Sequence, residues 1–295
     1  MVGFNADELR KWLAIAASAR VMVIGEPILD SYIFVRSMGK SAKENIVAFE
    51  EVSRRVYRGG ALIVLDHVKE FSRRACFRDE GQAPVVKERY VEHVFITKLF
   101  ETVRFPIWNN LGAAPLPRDL DLVIVADYGH GLLQATDLEV CCSGGHFLAL
   151  MVQSNSANWG FNLLTKWPRA DYVVIDQEEL HLASHDQFGA IETLARRQHE
   201  RMGTRYFAVT MGHEGCLVLN GGEVVRAPAV AEHVKDRMGA GDAFLALTTP
   251  LAWAGAPAEV IATIGNIAGA IKIGKVGNQP VTRAEVEAWL EGQTG

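Results

Sequence analysis

Five short runs in this 295-residue chain are almost wholly apolar, and each stops at a polar or glycine-containing turn. They are Val21–Gly25, Leu122–Ala126, Phe147–Val152, Tyr172–Ile175 and Tyr206–Val209. A strand with no alternation of apolar and polar residues is one covered on both faces, and that situation belongs to a parallel sheet flanked by helices. Helices are predicted over 6–19, after Gly59-Gly60-Ala61, after Asp176, over about 188–202, over 242–255 and 257–273, and over 282–291. Strands alternating with helices, with polar residues repeatedly just past strand ends, predict a doubly wound, mostly parallel α/β fold. Ligands of such sheets bind outside the carboxyl ends of the strands.

Two stretches have a different period. Residues 46–58 and 85–100 alternate, as antiparallel strands with one wet face do. They predict a small antiparallel sheet set apart from the main one, a lid with strands from about 44–58 and 85–104, within a single domain over 1–295. Residues 105–120 are rich in proline and read as loop. Cys216 to Leu219 followed by Asn220-Gly221-Gly222 predicts a hairpin.

An apolar content of 49% with 22% charged residues is that of a folded, globular chain, and the net charge of −5 gives no support to a nucleic-acid or anionic-membrane surface. Cys76, Cys141, Cys142 and Cys216 form no C-x-x-C pair, which fits a reduced, intracellular protein. The nine histidines have no metal-ligand spacing. The first helix is amphipathic and unlike a signal peptide, and no run approaches the ~18 apolar residues of a membrane span. The expected compartment is the cytoplasm.

Three places carry chemistry. Gly239-Ala240-Gly241-Asp242 stands directly before an apolar helical run. Its glycines let backbone amides point inward and the helix N-terminus adds partial positive charge, so the loop suits a phosphate, though a plain glycine turn with an early acid has the same letters. Asp30, just past the first buried strand, suits sugar hydroxyls or serves as a turn cap. Gly59-Gly60 permits close backbone approach to a ligand, or makes a simple strand-to-helix turn.

These stretches together resemble the ribokinase-like, or PfkB, family of carbohydrate kinases, and within it the heptose-7-phosphate kinase branch, the kinase domain of ADP-heptose synthesis. The resemblance rests on Val21 to Tyr32, Gly59-Gly60-Ala61, Ala126 to Gly131, Val209 to Gly212 with Gly215, Asp236 to Asp242, and Gly265 to Gly277. It implies ATP-dependent transfer of a phosphoryl group to a sugar hydroxyl, with Asp242 as base and the amides of Gly239, Ala240 and Gly241 as an anion hole. It further implies sugar contacts from Asp30, Gly59 and Gly60, and nucleotide contacts from Thr210, Gly212, Gly215, Asp236, Arg237 and Asn266. Magnesium accompanies ATP, with Glu179 as an indirect contact. Lys87, Arg89 and Lys98 on the lid suit a phosphate already on the sugar, or form a solvated strand face. A homodimer through the lid is expected, with a sugar or sugar phosphate as substrate and neither nucleic acid nor membrane as partner.

The sequence departs from the family's pattern in several places. The segment between Gly60 and Val85 is short, which predicts a missing piece of sheet edge or lid. The loop at 105–120 replaces a helical segment. Asp176-Gln177-Glu178-Glu179 stands for N-x-x-E, Gln153-Ser154-Asn155 stands for Asp-Pro-Lys, and Glu26 replaces an aspartate. These departures keep a second reading open: a sugar- or nucleotide-binding homologue with little turnover that supports a nucleotidyltransferase. A kinase for nucleosides or vitamin alcohols is the third.

Overall fold

The computed structural model describes residues 5–78, 81–108, 111, 114–231 and 233–292; part of the loop expected at 105–120 falls outside them. Helix α1 (Ala6–Ala16) leads into β1 (Arg20–Gly25), after which the chain runs out through β2 (Pro27–Lys40) and back along β3 (Val47–Gly60). It returns through α2 (Ala61–Phe71) to β4 (Arg74–Phe77) and leaves again for β5 (Val85–Glu92) and β6 (Lys98–Arg104). Then follow β7 (Leu122–Asp127), α3 (Ala135–Ser143), β8 (Phe147–Val152), β9 (Tyr172–Asp176), α4 (Gln177–Ser184), α5 (Ile191–Met202) and β10 (Tyr206–Thr210). The hairpin of β11 (Cys216–Asn220) and β12 (Glu223–Ala227) precedes α6 (Ala240–Ala254), α7 (Ala258–Ile273) and α8 (Arg283–Gly292).

The central sheet has the order β12-β11-β10-β9-β8-β7-β1-β4. It is parallel from β4 to β10, and the hairpin adds two antiparallel strands at one edge. One face packs on α1, α2, α6, α7 and α8 through residues such as Leu9, Val64, Phe244, Ile261 and Leu290. The other packs on α3, α4 and α5 through Cys141, Leu180 and Leu194, around a fully buried Trp167. Apolar cover on both faces is why the five runs carry no alternation.

The strand order reverses at β1, which lies between β4 and β7. At that point the Glu26 carboxylate accepts the Tyr128 amide at 2.9 Å and the His130 amide at 3.1 Å, closing the ends of β1 and β7 onto each other. Burial and the neighbouring Asp127 push Glu26 up to about 7.

The second sheet has the order β3-β2-β5-β6. Its outer pairs are antiparallel, as expected, but β2 and β5 run parallel, from Ile28 beside Val85 to Val35 beside Glu92. The lid is therefore a mixed sheet, and its longest strands include β2, where the sequence predicts a polar turn after β1. Short polar residues inside it look like a turn, yet Asp30 and Ser31 are buried because β3 and β5 cover the strand on both sides. The expected gap between Gly60 and Val85 is also corrected. That segment holds α2 and the four-residue edge strand β4, which pairs with β1 from Arg20–Arg74 to Val23–Phe77.

Gly25 has φ of +150°, and a Cβ there would run into the carbonyl of Ala126 in the adjacent strand. Gly25→Ala is expected to cost about 3 kcal/mol. The check is a lower urea midpoint at unchanged m-value.

Candidate active site

Helix α6 starts on Gly239, whose φ of +77° places it in the left-handed region. A Cβ at this position would sit 3.0 Å from Lys272 Cε and 3.1 Å from Asn278 Oδ1, so both conformation and space require glycine. The first amides of a helix have no partner within it, and the residues that carry them here, Ala240, Gly241 and Asp242, line a cleft of about 260 Å³. The opposite wall comes from the base of the lid, with Asp30, Gly60 and Lys87, and the floor from strand ends at Met151 and Thr210.

Asp242 is buried in the first turn of α6, and its Oδ1 accepts the Tyr128 hydroxyl at 2.7 Å. Burial pushes its pKa up to about 6, against the Tyr128 hydrogen bond and the nearby Lys272 ammonium, which favour the ionised form. Across the cleft Asp30 is held on both oxygens: Arg89 pairs with Oδ1, and the Asn278 amide donates to Oδ2 at 2.6 Å. Burial raises Asp30 while Arg89 and Lys87 oppose the rise. A Cβ on Gly59 would lie 2.7 Å from Asp30 Oδ2, so this glycine makes room for that carboxylate rather than for a ligand alone.

The three lid cations take different positions. Arg89 lines the cleft but is largely buried, paired with Asp30 and, at 2.7 Å, with Glu101, so it is not a solvated strand face. Lys98 pairs with Asp236 at 3.1 Å and does not line the cleft. Lys87 does line it, and its ammonium makes no ion pair among the described residues. Burial lowers the Lys87 pKa, with Glu101, Asp30 and Asp242 working the other way.

Asp236 is also reassigned. Its oxygens accept Tyr32 Oη at 2.9 Å, Lys98 Nζ at 3.1 Å, the Gly277 amide at 3.1 Å and the Met238 amide at 3.2 Å, and it is absent from the cleft wall. Burial opposes ionisation, but Lys98 and Tyr32 bring the pKa below its ordinary value. Arg237 and Thr210 line the cleft beside the α6 amides. Gly212, Gly215 and Asn266 lie outside it: the Asn266 amide donates to the Ala227 and Pro228 carbonyls, and a Cβ on Gly215 would meet the same Ala227 carbonyl.

Glu179 and Asp176 line the cleft and cap α4 together. Glu179 Oε1 accepts the Ser154 amide at 3.0 Å and Oε2 the Asp176 amide at 3.3 Å. Burial and the Asp176 charge push Glu179 up to about 8. No group of three or more His, Cys, Asp or Glu side chains among the described residues could hold a metal ion alone. Tyr128, Asn278 and Lys272 carry no assigned role in the sequence, although Tyr128 stands in a strand-end stretch, Asn278 follows Gly277 and Lys272 lies within the Gly265 to Gly277 stretch.

Residues 135–284 match the family model described as pfkB family carbohydrate kinase. The chain belongs to this pfkB family. Among curated relatives, the bifunctional protein HldE of Desulfatibacillum aliphaticivorans is 31% identical over 182 residues, covering 59% of this chain and 36% of that protein. The HldE of Acidiphilium cryptum is 25% identical over 304 residues, covering 88% of this chain and 61% of its own length. The chain thus spans roughly a third to three-fifths of these two relatives. Among solved pfkB-like folds, the Escherichia coli phosphofructokinase-2 in complex with potassium superposes with a TM-score of 0.70 at 12% identity, covering 92% of this chain and 99% of that one. The Arabidopsis thaliana ribokinase complexed with ribose and ATP gives 0.66 at 13% identity, with 93% and 99% covered. The ribokinase-like α/β fold with its smaller separate sheet is shown by these likenesses, and among the described residues no helix is long and apolar enough to cross a membrane.

Asp236→Ala leaves buried donors of the lid and of the 277 turn without an acceptor. A loss of about 3 kcal/mol is expected, read as a lowered urea midpoint. A stability unchanged within 0.5 kcal/mol, roughly that of a surface substitution, would return Asp236 to a ligand-binding role.

Proposed function

We propose that the chain is an ATP-dependent kinase that phosphorylates a hydroxyl of a sugar or sugar phosphate, with heptose 7-phosphate as the reference acceptor. The observation carrying this reading is Asp242 in the first turn of α6, facing the same cleft as Asp30 and Lys87. The anion-binding amides and the only carboxylate of that turn sit at one end, and sugar-binding groups sit at the other.

Phosphoryl transfer asks the protein for positioning and charge stabilisation more than for covalent chemistry. Asp242 Oδ1 holds Tyr128, and Oδ2 has no protein donor among the described residues. Asp242 takes the proton as the acceptor O–H bond breaks and the new O–P bond forms; the bond from the γ-phosphorus to the β-phosphate oxygen breaks and ADP leaves. The α6 amides and helix dipole stabilise the charge on the transferred group. Asp30, held by Arg89 and Asn278, keeps lone pairs for sugar hydroxyls, and Lys87 supplies a cation for an acceptor phosphate. The nucleotide lies from the α6 amides past Thr210 and Arg237, towards Gly212, Gly215 and Asn266. Asp176 and Glu179 are the carboxylates on the cleft wall that would reach magnesium through water, and the ion would neutralise phosphate charge when bound with ATP.

The second reading, a binding homologue that supports a nucleotidyltransferase, is favoured by one observation. Glu179 has both oxygens on backbone amides, and burial raises its pKa to about 8, so it serves α4 better than a metal. ADP release over a panel of sugar phosphates separates the two. Turnover is expected with wild type and a loss of at least about 100-fold with Asp242→Asn. Lys87→Met is expected to raise KM for phosphorylated acceptors only. Nucleotide binding without turnover on any acceptor overturns the kinase reading. The base works deprotonated, so kcat/KM is expected to climb with pH through about 6 and to level above 7.

We also infer a cytoplasmic homodimer through the lid. Val47, Val52 and Val56 of β3 are 55%, 44% and 57% exposed, with Phe100 of β6 at 52%, which leaves an apolar lid surface for a partner. Sedimentation is expected to give a dimer that Val56→Asp weakens; a wild-type monomer at micromolar concentration removes this assembly.

A further inference from the structure

Lys272 lies in the last turn of α7, where a lysine ordinarily complements the helix dipole from the surface. Here it is 0% exposed, and its ammonium has no carboxylate within ion-pair reach among the described residues. It donates to two backbone carbonyls instead, Met238 at 2.7 Å and Gly277 at 3.0 Å. These carbonyls belong to two separate loops of the cleft. Met238 stands directly before the left-handed Gly239 that opens α6. Gly277, at φ +71°, stands directly before Asn278, which holds Asp30.

A buried ammonium is unfavourable unless its environment replaces the water it loses. Converging carbonyl dipoles do that for a lysine as they do for a free monovalent ion. The Lys272 side chain also packs against the α6 turn, since a Cβ on Gly239 would lie 3.4 Å from Nζ. Its charge acts on Asp242 from α7, while Lys87 acts from β5, Asp30 from β2 and the Tyr128 hydroxyl from the end of β7. Burial lowers the Lys272 pKa, Asp236 and Asp242 work against that fall, and Lys275 and Lys98 add to it. Across the α2 interface, His67 is pushed down to about 3 by burial and by this same ammonium.

We propose that Lys272 is a tethered monovalent cation of the active site, a positioning residue that clamps the anion-hole loop to the acceptor loop so that no free ion is needed there. The proposal rests on the kinase reading for its rate measurements, but not for its titration. Three measurements test it. Wild-type phosphoryl transfer is expected to be equal within about twofold in sodium, potassium and ammonium buffers; activation of wild type by potassium overturns the proposal. Lys272→Ala, which leaves a hole, is expected to lose about 100-fold in kcat with little change in sugar KM. Potassium or ammonium should restore at least a tenth of that loss, and the bulkier tetramethylammonium should restore none. Lys272→Met, which fills the hole without charge, should be equally slow and beyond rescue. In nucleotide-free protein, carbon-13 NMR should show the Asp242 carboxyl titrating about one pH unit higher in Lys272→Met than in wild type.

A variant with wild-type kcat, or one that is slow with neither rescue nor a moved Asp242 titration, reduces Lys272 to a packing residue and overturns the proposal. If both neutral variants fail to fold, the wild-type indifference to cations still decides it. If wild type transfers phosphate to no acceptor, the kinase reading fails, while the Asp242 titration still reads the Lys272 charge.

Discussion

The lid is held over the cleft by two buried carboxylates, and the rest of the site depends on them. Asp236 collects donors from Tyr32 in β2, Lys98 in β6, Gly277 after α7 and Met238 before α6. Asp30 does the same between Arg89 of β5 and Asn278. A carboxylate removed from water must find compensation, and each finds it by joining lid to core. The lid has little apolar core of its own, with Tyr32, Phe34 and Val91 as its buried cluster. Polar ties therefore do for its placement what hydrophobic packing does for the helices, and they are directional, which fixes where Lys87 stands relative to Asp242.

This arrangement explains which parts of the molecule are legible in the sequence. The five buried strands show themselves because covering on both faces leaves only apolar residues, and the α6 turn shows itself because Gly239 has no substitute. β2 is hidden because its buried half carries Asp30 and Ser31, and nothing local says that Arg89, fifty-nine positions on, neutralises the acid. β4 is hidden because Arg74-Ala75-Cys76-Phe77 is short and half wet at a sheet edge, with too few residues to show a period.

In the site, sequence reasoning finds residues by type and cannot see how their hydrogen-bonding capacity is divided. Asp236, Arg89 and Lys98 are charged, near the motif and on the expected elements, yet each is occupied by another side chain of the same protein. Asn278 and Lys272 are the converse. One asparagine after a glycine, and one lysine at the end of an apolar helix, read as surface residues until the fold brings both under Gly239. Tyr128 falls between the cases, since its place past β7 is legible but its bond to Asp242 joins positions 114 residues apart.

The cleft that results is an unusual mixture of half-committed protons. Burial pushes Asp242 up to about 6 and Glu179 up to about 8, and lowers Lys87. A polyanion entering beside the α6 amides acts on all three in one sense, since negative charge favours the protonated form of every group nearby. That favours the charged form of Lys87 and the neutral form of Glu179, but it works against the ionised form of Asp242. Lys272 is placed to resist that one unwanted effect. Its ammonium is fixed by two carbonyls, cannot swing towards the anion, and stays within the field of Asp242. A mobile cation would be drawn to an entering polyanion; a tethered one keeps its charge on the Asp242 side of the α6 turn.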